Sequence, residues 1–125
     1  MITSPLYIAI DWGTSHLRAY LCTANNHQGC KLIEQRNGPS VIKVNKKFEQ
    51  TLFDIVAPWI EQYGDLPIYM AGQITSSIGW HETPYLECPF NPENLLEQSV
   101  NFNSKKLNIT ALPGSRCRLK SNLND

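Results

Sequence analysis

No stretch of this chain is apolar for long enough to cross a bilayer. Its longest apolar runs, around Pro5 to Ile10 and Phe53 to Ile60, fall far short of the roughly 20 residues that a spanning helix needs. The N-terminal MITSPLYIAID has no basic region ahead of its apolar residues, so it does not read as a signal peptide. Surplus charge is absent as well. The 11 basic residues cancel the 11 acidic ones, which leaves no broad electrostatic footprint for nucleic acid or for a membrane surface. Cysteine is sparse: Cys22, Cys30, Cys88 and Cys117 show no C-x-x-C spacing and no paired histidines nearby. Neither a zinc site nor a disulfide framework is indicated, and reduced thiols in a cytoplasmic protein are the expectation. There are no internal repeats and no low-complexity segments. A chain of 125 residues is long enough for one domain with a real core and too short for a second of ordinary size.

What is present organises itself by periodicity and punctuation. Leu6 to Ile10 is a short apolar run ended by Asp11 and Gly13, which suits a strand buried on both faces. From Leu17 to Thr23 apolar and polar residues alternate, with Leu17, Ala19 and Leu21 on one side and Arg18, Tyr20 and Cys22 on the other. This predicts a second strand, joined to the first by a hairpin at Gly-Thr-Ser. TANNHQGC is a polar loop closed by Gly29, and CKLIEQRN returns as a third strand. After Gly38-Pro39, the segment NKKFEQTLFDIVAPWIEQYG spaces Phe48, Leu52, Ile55, Val56, Trp59, Ile60 and Tyr63 as a helix does, ending at Gly64. Pro58 is expected to kink that helix or to end its regular part. LPIYMAG predicts a fourth strand, parallel to the first, and LNITALPG another. The result is a mixed α/β layer. The last residues, SRCRLKSNLND, lose apolar periodicity and are expected to fray.

The stretch IAIDWGTSHLRAYL, Ile8 to Leu21, carries the chemistry. An aspartate at the end of a strand is commonly a turn residue, so its neighbours decide its meaning. A hairpin tip of Gly13, Thr14 and Ser15 offers backbone N–H groups and two hydroxyls for phosphate oxygens, and Gly13 lets a phosphate approach the main chain. Arg18 adds a permanently charged planar fork. Asp11 can hold the water shell of Mg²⁺, which is usually bound by one or two carboxylates together with substrate phosphates. Such a set suits phosphoryl transfer, where catalysis is mainly positioning and charge neutralisation. Each residue also has a structural alternative. The hydroxyls of Thr14 and Ser15 can satisfy their own turn, and Arg18 can be a solvated strand charge. His16, without a second ligand at useful spacing, points to solvent rather than to a metal.

IAIDWGTSHLRAYL resembles the first phosphate motif of the sugar-kinase, heat-shock ATPase and actin superfamily. A second stretch, YMAGQITSSIGWHETPYLECP, is similar to the Met-Ala-Gly, Ser, Gly-Trp and Pro-Tyr-Leu succession of 2-dehydro-3-deoxygalactonokinases. The resemblance runs from about Tyr7 to Gly114, where ITALPG is similar to the family's strand ending in Pro-Gly. It implies an α/β fold of the ribonuclease H-like, actin-like ATPase kind: a mixed sheet with flanking helices, here truncated. Residues 1–114 are expected to be the incomplete N-terminal kinase domain and residues 115–125 a polar tail.

By that resemblance, the activity is ATP-dependent phosphorylation of 2-dehydro-3-deoxy-D-galactonate, a step of galactonate degradation in carbohydrate metabolism. The cofactors implied are ATP and Mg²⁺. Asp11 would sit near the metal ion, Gly13, Thr14 and Ser15 would line the β- and γ-phosphates, and Arg18 would neutralise the transferring group. Gly72 to Trp80 would face the cleft and help bind the sugar acid, with Ser76, Ser77 and Trp80 foremost, although a tryptophan beside Gly79 can equally fill a core gap. The implied partners are the sugar acid, the nucleotide, and a missing C-terminal kinase domain or a second copy of the chain, with neither nucleic acid nor membrane. Where the family continues after Pro-Gly into an Arg-Gly-Glu-Glu motif and a second domain, this sequence has SRCRLKSNLND. The 125-residue chain alone is therefore expected to be inactive, and a non-catalytic half or interaction module is the alternative. A ribonuclease H-like nuclease is a lesser one, because two-metal hydrolysis needs further acids converging on Asp11 and the next strand end offers Gln73.

Overall fold

The computed structural model describes residues 5–25, 29–87 and 92–116. Its strands are β1 (Leu6–Trp12), β2 (Leu17–Asn25), β3 (Gly29–Gly38), β4 (Pro67–Ala71), β5 (Leu86–Glu87), β6 (Val100–Ser104), β7 (Leu107–Ala111) and β8 (Ser115–Arg116), with helices α1 (Phe48–Tyr63) and α2 (Pro92–Glu97). Six strands form one sheet in the order β3-β2-β1-β4-β7-β6, and β5 and β8 pair separately. The leading meander is antiparallel, as the alternation predicts. β4 then joins β1 in parallel, and β7 joins β4 in parallel. The mixed sheet with its helix is the α/β fold expected of an actin-like, ribonuclease H-like kinase domain.

One face of the sheet makes the core. Ile8, Ile10 and Trp12 of β1, Leu17, Ala19 and Leu21 of β2, and Ile68 and Met70 of β4 join Phe48, Leu52, Val56 and Trp59 of α1 in a single buried cluster. These helix positions recur at the spacing that puts them on one stripe. The expectation that β1 is buried on both faces is corrected here. Tyr7 and Ala9 are half-buried and Asp11 is exposed, because α1 covers only the Ile8 side. On that second face Tyr69 meets Tyr7 edge-on at 6.1 Å. A hydrogen bond with the Cys30 thiol, followed by burial, pushes the Tyr7 phenol far above its ordinary range. Burial pushes the Cys22 thiol up, partly offset by its hydrogen bond with Tyr7. Cys22 and Cys30 are free thiols, while Cys88 and Cys117 lie outside the described residues.

Helix α1 runs through Pro58 instead of ending there. The proline removes the N–H that would reach the preceding turn. Two bonds anchor that region to β3: Arg36 Nε donates to the Ile55 carbonyl at 2.8 Å, and Trp59 Nε1 donates to Glu34 Oε1 at 2.9 Å. Gly64 closes the helix with φ 86°, its N–H bonded to the Ile60 carbonyl. Two features were not anticipated. Strand β3 carries a bulge, with Leu21 opposite Glu34 and Cys22 opposite Leu32, which leaves Ile33 as the extra residue. Strand β6 forms a hairpin with β7 through Lys105 and Lys106, both left-handed. That hairpin is fixed to α1 by the Ser104 hydroxyl on the Glu49 carboxylate. Ser115 and Arg116 of the expected tail pair as β8 with β5; residues 117–125 lie outside the described residues. Among the described residues no helix is long and apolar enough to cross a membrane.

Candidate functional site

Strands β1, β4 and β7 are parallel neighbours, so their C-terminal ends open on one edge of the sheet, where ligands of open α/β sheets bind. A glycine follows each of them: Gly13 directly after β1, Gly72 directly after β4, and Gly114 three residues after β7. All three line a cleft of about 340 Å³. Thr14 and Gln73 line it beside the first two glycines, and Thr75, Ser76, Thr83 and Tyr85 complete the wall from the segment that follows β4.

The tip of the β1–β2 hairpin is held firmly. Trp12 is fully buried, donates its indole N–H to the Pro39 carbonyl at 2.9 Å and meets Phe48 edge-on at 5.7 Å. The Gly13 N–H donates to the His16 carbonyl at 3.0 Å, and its own carbonyl accepts from Val41 N–H at 2.9 Å. Gly13 therefore has no free N–H for a phosphate, which corrects that part of the expected cradle. Thr14 and Ser15 are exposed, and neither has a hydrogen-bond partner among the described residues. Their two N–H groups and two hydroxyls are the unengaged donors of the tip. Gly13 serves in another way. A Cβ built on it meets nothing within 4 Å, and its φ is not positive. Neither packing nor backbone geometry calls for glycine at this position, and the space that a side chain would take is cleft.

The four-residue loop accounts for the spacing of the two charges. With Trp12 opposite Leu17, Asp11 falls opposite Arg18, so both side chains leave the same face of the sheet. Both are exposed, neither has a partner among the described residues, and neither lines the cleft. Among the described residues no group of three or more His, Cys, Asp or Glu side chains stands together, so Asp11 does not belong to a closed protein cage for a metal ion. A lone carboxylate is compatible with Mg²⁺ held mainly by phosphates and water.

The second segment is engaged with itself. Gly72 has φ 108° and ψ −164°, and a Cβ there would lie 2.5 Å from the Trp12 carbonyl oxygen. The fold itself needs this glycine, whatever ligand the cleft takes. Thr75 Oγ1 donates to the Gly72 carbonyl at 3.1 Å, and Ser76 Oγ donates to the Gln73 carbonyl at 2.7 Å. Thr83 is buried, with its N–H on the Thr75 carbonyl at 2.9 Å. Of the expected sugar-acid residues, Gly72 and Ser76 line the cleft, whereas Ser77 and Trp80 do not. Trp80 packs into the core, stacked on Phe48 at 6.2 Å and edge-on to Phe102 at 5.3 Å. That placement favours the core-filling alternative over contact with substrate.

Gln73 and Thr75 fall inside the stretch Gly72 to Trp80 that was expected to face the cleft, whereas reading the sequence did not point to Thr83, Tyr85 or Gly114 as site residues. The signal that could have found some of them was the recurrence of glycine after each parallel strand, in DWG, MAG and ALPG.

Comparisons with known proteins point to one family. A family model described as 2-keto-3-deoxy-galactonokinase matches residues 11–125. The 2-dehydro-3-deoxygalactonokinase of Escherichia coli K12 is 34% identical over 110 residues, covering 86% of this chain and 34% of that protein. A Rhizobium meliloti protein inferred to have the same activity is 27% identical over 114 residues, covering 91% of this chain and 36% of its own. A crystal structure of a Sinorhizobium meliloti protein assigned by inference to that activity superposes with a TM-score of 0.71 at 25% identity, over 91% of this chain and 36% of that one. The chain thus spans about a third of the length of the relatives it matches.

Proposed function

The chain belongs to the 2-keto-3-deoxy-galactonokinase family, and from that membership we propose that its cleft takes part in transferring the γ-phosphoryl group of MgATP to a hydroxyl of 2-dehydro-3-deoxy-galactonate. The observation that carries the reading is Gly13. It lines the cleft with open space where a Cβ would stand, and the unengaged donors of Thr14 and Ser15 follow it directly. Absence of a side chain beside free N–H groups is what close approach of a phosphate requires.

In this reading Thr14 and Ser15 hold the β- and γ-phosphate oxygens. Asp11 would hold the water shell of a Mg²⁺ accompanying ATP, and Arg18, on the same face, would offset charge on the transferring group. Bound MgATP supplies the phosphoryl group itself. A bond forms between the acceptor hydroxyl oxygen and the γ-phosphorus, the bond from that phosphorus to the ADP oxygen breaks, and the hydroxyl proton leaves to a base. The described lining residues include no carboxylate and no imidazole, so that base stands outside this lining. Ser76 and Gly72 contribute shape on the acceptor side, since their polar groups serve the turn. A cytoplasmic location and a role in carbohydrate metabolism belong to the same proposal.

The test uses a chimera in which residues 1–114 replace the matching N-terminal part of the E. coli relative. We expect turnover of MgATP with 2-dehydro-3-deoxy-galactonate in a coupled assay. Asp11→Asn should lower kcat by about 10²–10³, the scale of losing one preorganised charge contact in a transition state, with little change in the sugar-acid KM. Arg18→Ala should act in the same direction and less severely. A folded Asp11→Asn chimera turning over at the parent rate would reduce Asp11 to a solvated strand residue.

A further inference from the structure

Nine of the described residues line the cleft: three are glycines, four carry hydroxyls as Ser or Thr, one is Gln73 and one is Tyr85. Among these described residues Tyr85 is thus the one large apolar surface, the rest being small or polar. It is 52% exposed, and its place is built into the fold. A Cβ on Gly114 would stand 3.0 Å from Tyr85 Cε1 and 3.2 Å from Cδ1, so the ring packs directly on the Gly114 backbone and an added methyl would have to push it aside by a few tenths of an ångström. The neighbouring Leu86 N–H donates to the Gly114 carbonyl at 2.9 Å, and Leu86 then pairs with Ser115 in the β5–β8 ladder. The ring is therefore anchored to the chain that follows β7, at the same strand edge as Gly13 and Thr14.

We infer that Tyr85 is a substrate-binding residue whose ring packs on the C–H face of the sugar acid, at its deoxy carbon; the inference rests on the proposed kinase function. A polyhydroxy acid offers hydroxyls almost everywhere, and the Gln73 side chain is the amide of this lining that can answer them, since the hydroxyls of Thr75, Ser76 and Thr83 serve the fold. A 3-deoxy acid also has one methylene that no polar group can satisfy. A flat, fixed aromatic surface is the complement of that methylene, and it disfavours an analogue that would bury a hydroxyl there without a partner. The cleft volume of about 340 Å³ lies near the small end of ligand pockets, which run from roughly 300 to 1,000 Å³. That suits a compact acid better than a nucleotide base with its ribose.

The test is a set of NMR titrations on the 125-residue chain with 2-dehydro-3-deoxy-galactonate, with 2-dehydro-galactonate, which differs from it only by a hydroxyl at C3, and with adenosine. The expected result is saturable shifts at Gly13, Thr14 and Gly114 and an intermolecular NOE from the C3 methylene to the Tyr85 ring. Tyr85→Ala, checked as folded by its amide spectrum, should raise Kd for the deoxy acid roughly three- to tenfold, the range of one aromatic contact, and erase its preference over 2-dehydro-galactonate. Tyr85→Phe should bind within about twofold of the parent, since the ring and not its hydroxyl makes the contact. If Tyr85→Ala does not fold, Tyr85→Leu takes its place, with apolar bulk retained and the flat ring lost. Unchanged binding in the folded variant, or NOEs from adenosine to the ring in place of the sugar acid, would overturn the role of Tyr85 alone. No saturable shift with the deoxy acid in the parent chain would likewise overturn the role of Tyr85, while the kinase reading stands or falls by turnover of the chimera.

Discussion

The two walls of the cleft are built on opposite principles. At the hairpin tip, Gly13 has no steric or conformational reason to be glycine, and Thr14 and Ser15 have no hydrogen-bond partners among the described residues. In the segment from Gly72 to Thr83 the glycine is required by its left-handed φ and by the Trp12 carbonyl, and the hydroxyls of Thr75 and Ser76 close the segment's own turn. A polar group used by the fold is not free for a ligand, and a polar group left over at a strand edge has no structural purpose. The comparison therefore assigns ligand contact to the tip and shape to the segment, even though both face the same space. It also explains why sequence motifs mislead. Serine and glycine look alike on the page whether they serve the fold or a ligand.

The sharpest way to break the comparison is to add one methyl group to each wall. Gly72→Ala should destabilise the chain by about 3 kcal/mol or more, because it combines a backbone region reserved for glycine with a Cβ driven into a carbonyl. Gly13→Ala should leave stability unchanged or raise it by up to ~1 kcal/mol through the unfolded chain, while weakening nucleotide binding. Urea denaturation of both variants reads the difference. Equal losses in stability would mean that Gly13, too, is a structural glycine.

A smaller effect is expected at Trp80, which belongs to the same segment but points away from the cleft. Its ring is half-buried between Phe48 and Phe102, so Trp80→Ala should cost about 2 kcal/mol, below the range for a fully buried aromatic. The folded variant should bind the sugar acid as the parent does. A rise in sugar-acid Kd without loss of thermal stability would move Trp80 back into the site and blur the distinction between the walls.

Which parts of this could be read from sequence follows from how local each one is. The meander was legible because Leu17, Ala19 and Leu21 alternate with Arg18, Tyr20 and Cys22, and α1 because its apolar stripe is regular from Phe48 to Trp59. The β6–β7 hairpin was not. Its left-handed turn residues are Lys105 and Lys106, where Asn-Gly would have given the signal, and β6 itself reads VNFNS. The hairpin tip of the site was legible for the same reason as the meander, since the motif and its turn lie within a few residues. Tyr85 and Gly114 were not, because they meet only after β7 has paired with β4 and β8 with β5. Trp80 is the reverse case: a residue that a motif put in the site, whereas long-range packing on Phe48 and Phe102 puts it in the core.

The finest test of the comparison removes one hydroxyl from each wall. Ser76 Oγ donates to the Gln73 carbonyl at 2.7 Å and accepts from Ile78 N–H at 3.3 Å, so it holds both sides of a turn. A hydroxyl of this kind contributes about 1 kcal/mol net, and Ser76→Ala should lower stability by that amount while leaving phosphate binding as it was. Thr14 makes no such bond among the described residues, and on a surface away from special features a substitution stays within about 0.5 kcal/mol. Thr14→Ala should accordingly melt with the parent and lose affinity for MgATP, read as a smaller shift at the Ser15 amide for a given nucleotide concentration. The two variants differ from the parent by a few atoms each, and their effects should fall on different observables: stability for one, binding for the other. If both lowered stability and neither touched binding, the tip would be a turn like the segment, and the donors of Thr14 and Ser15 would be solvated rather than held ready for phosphate.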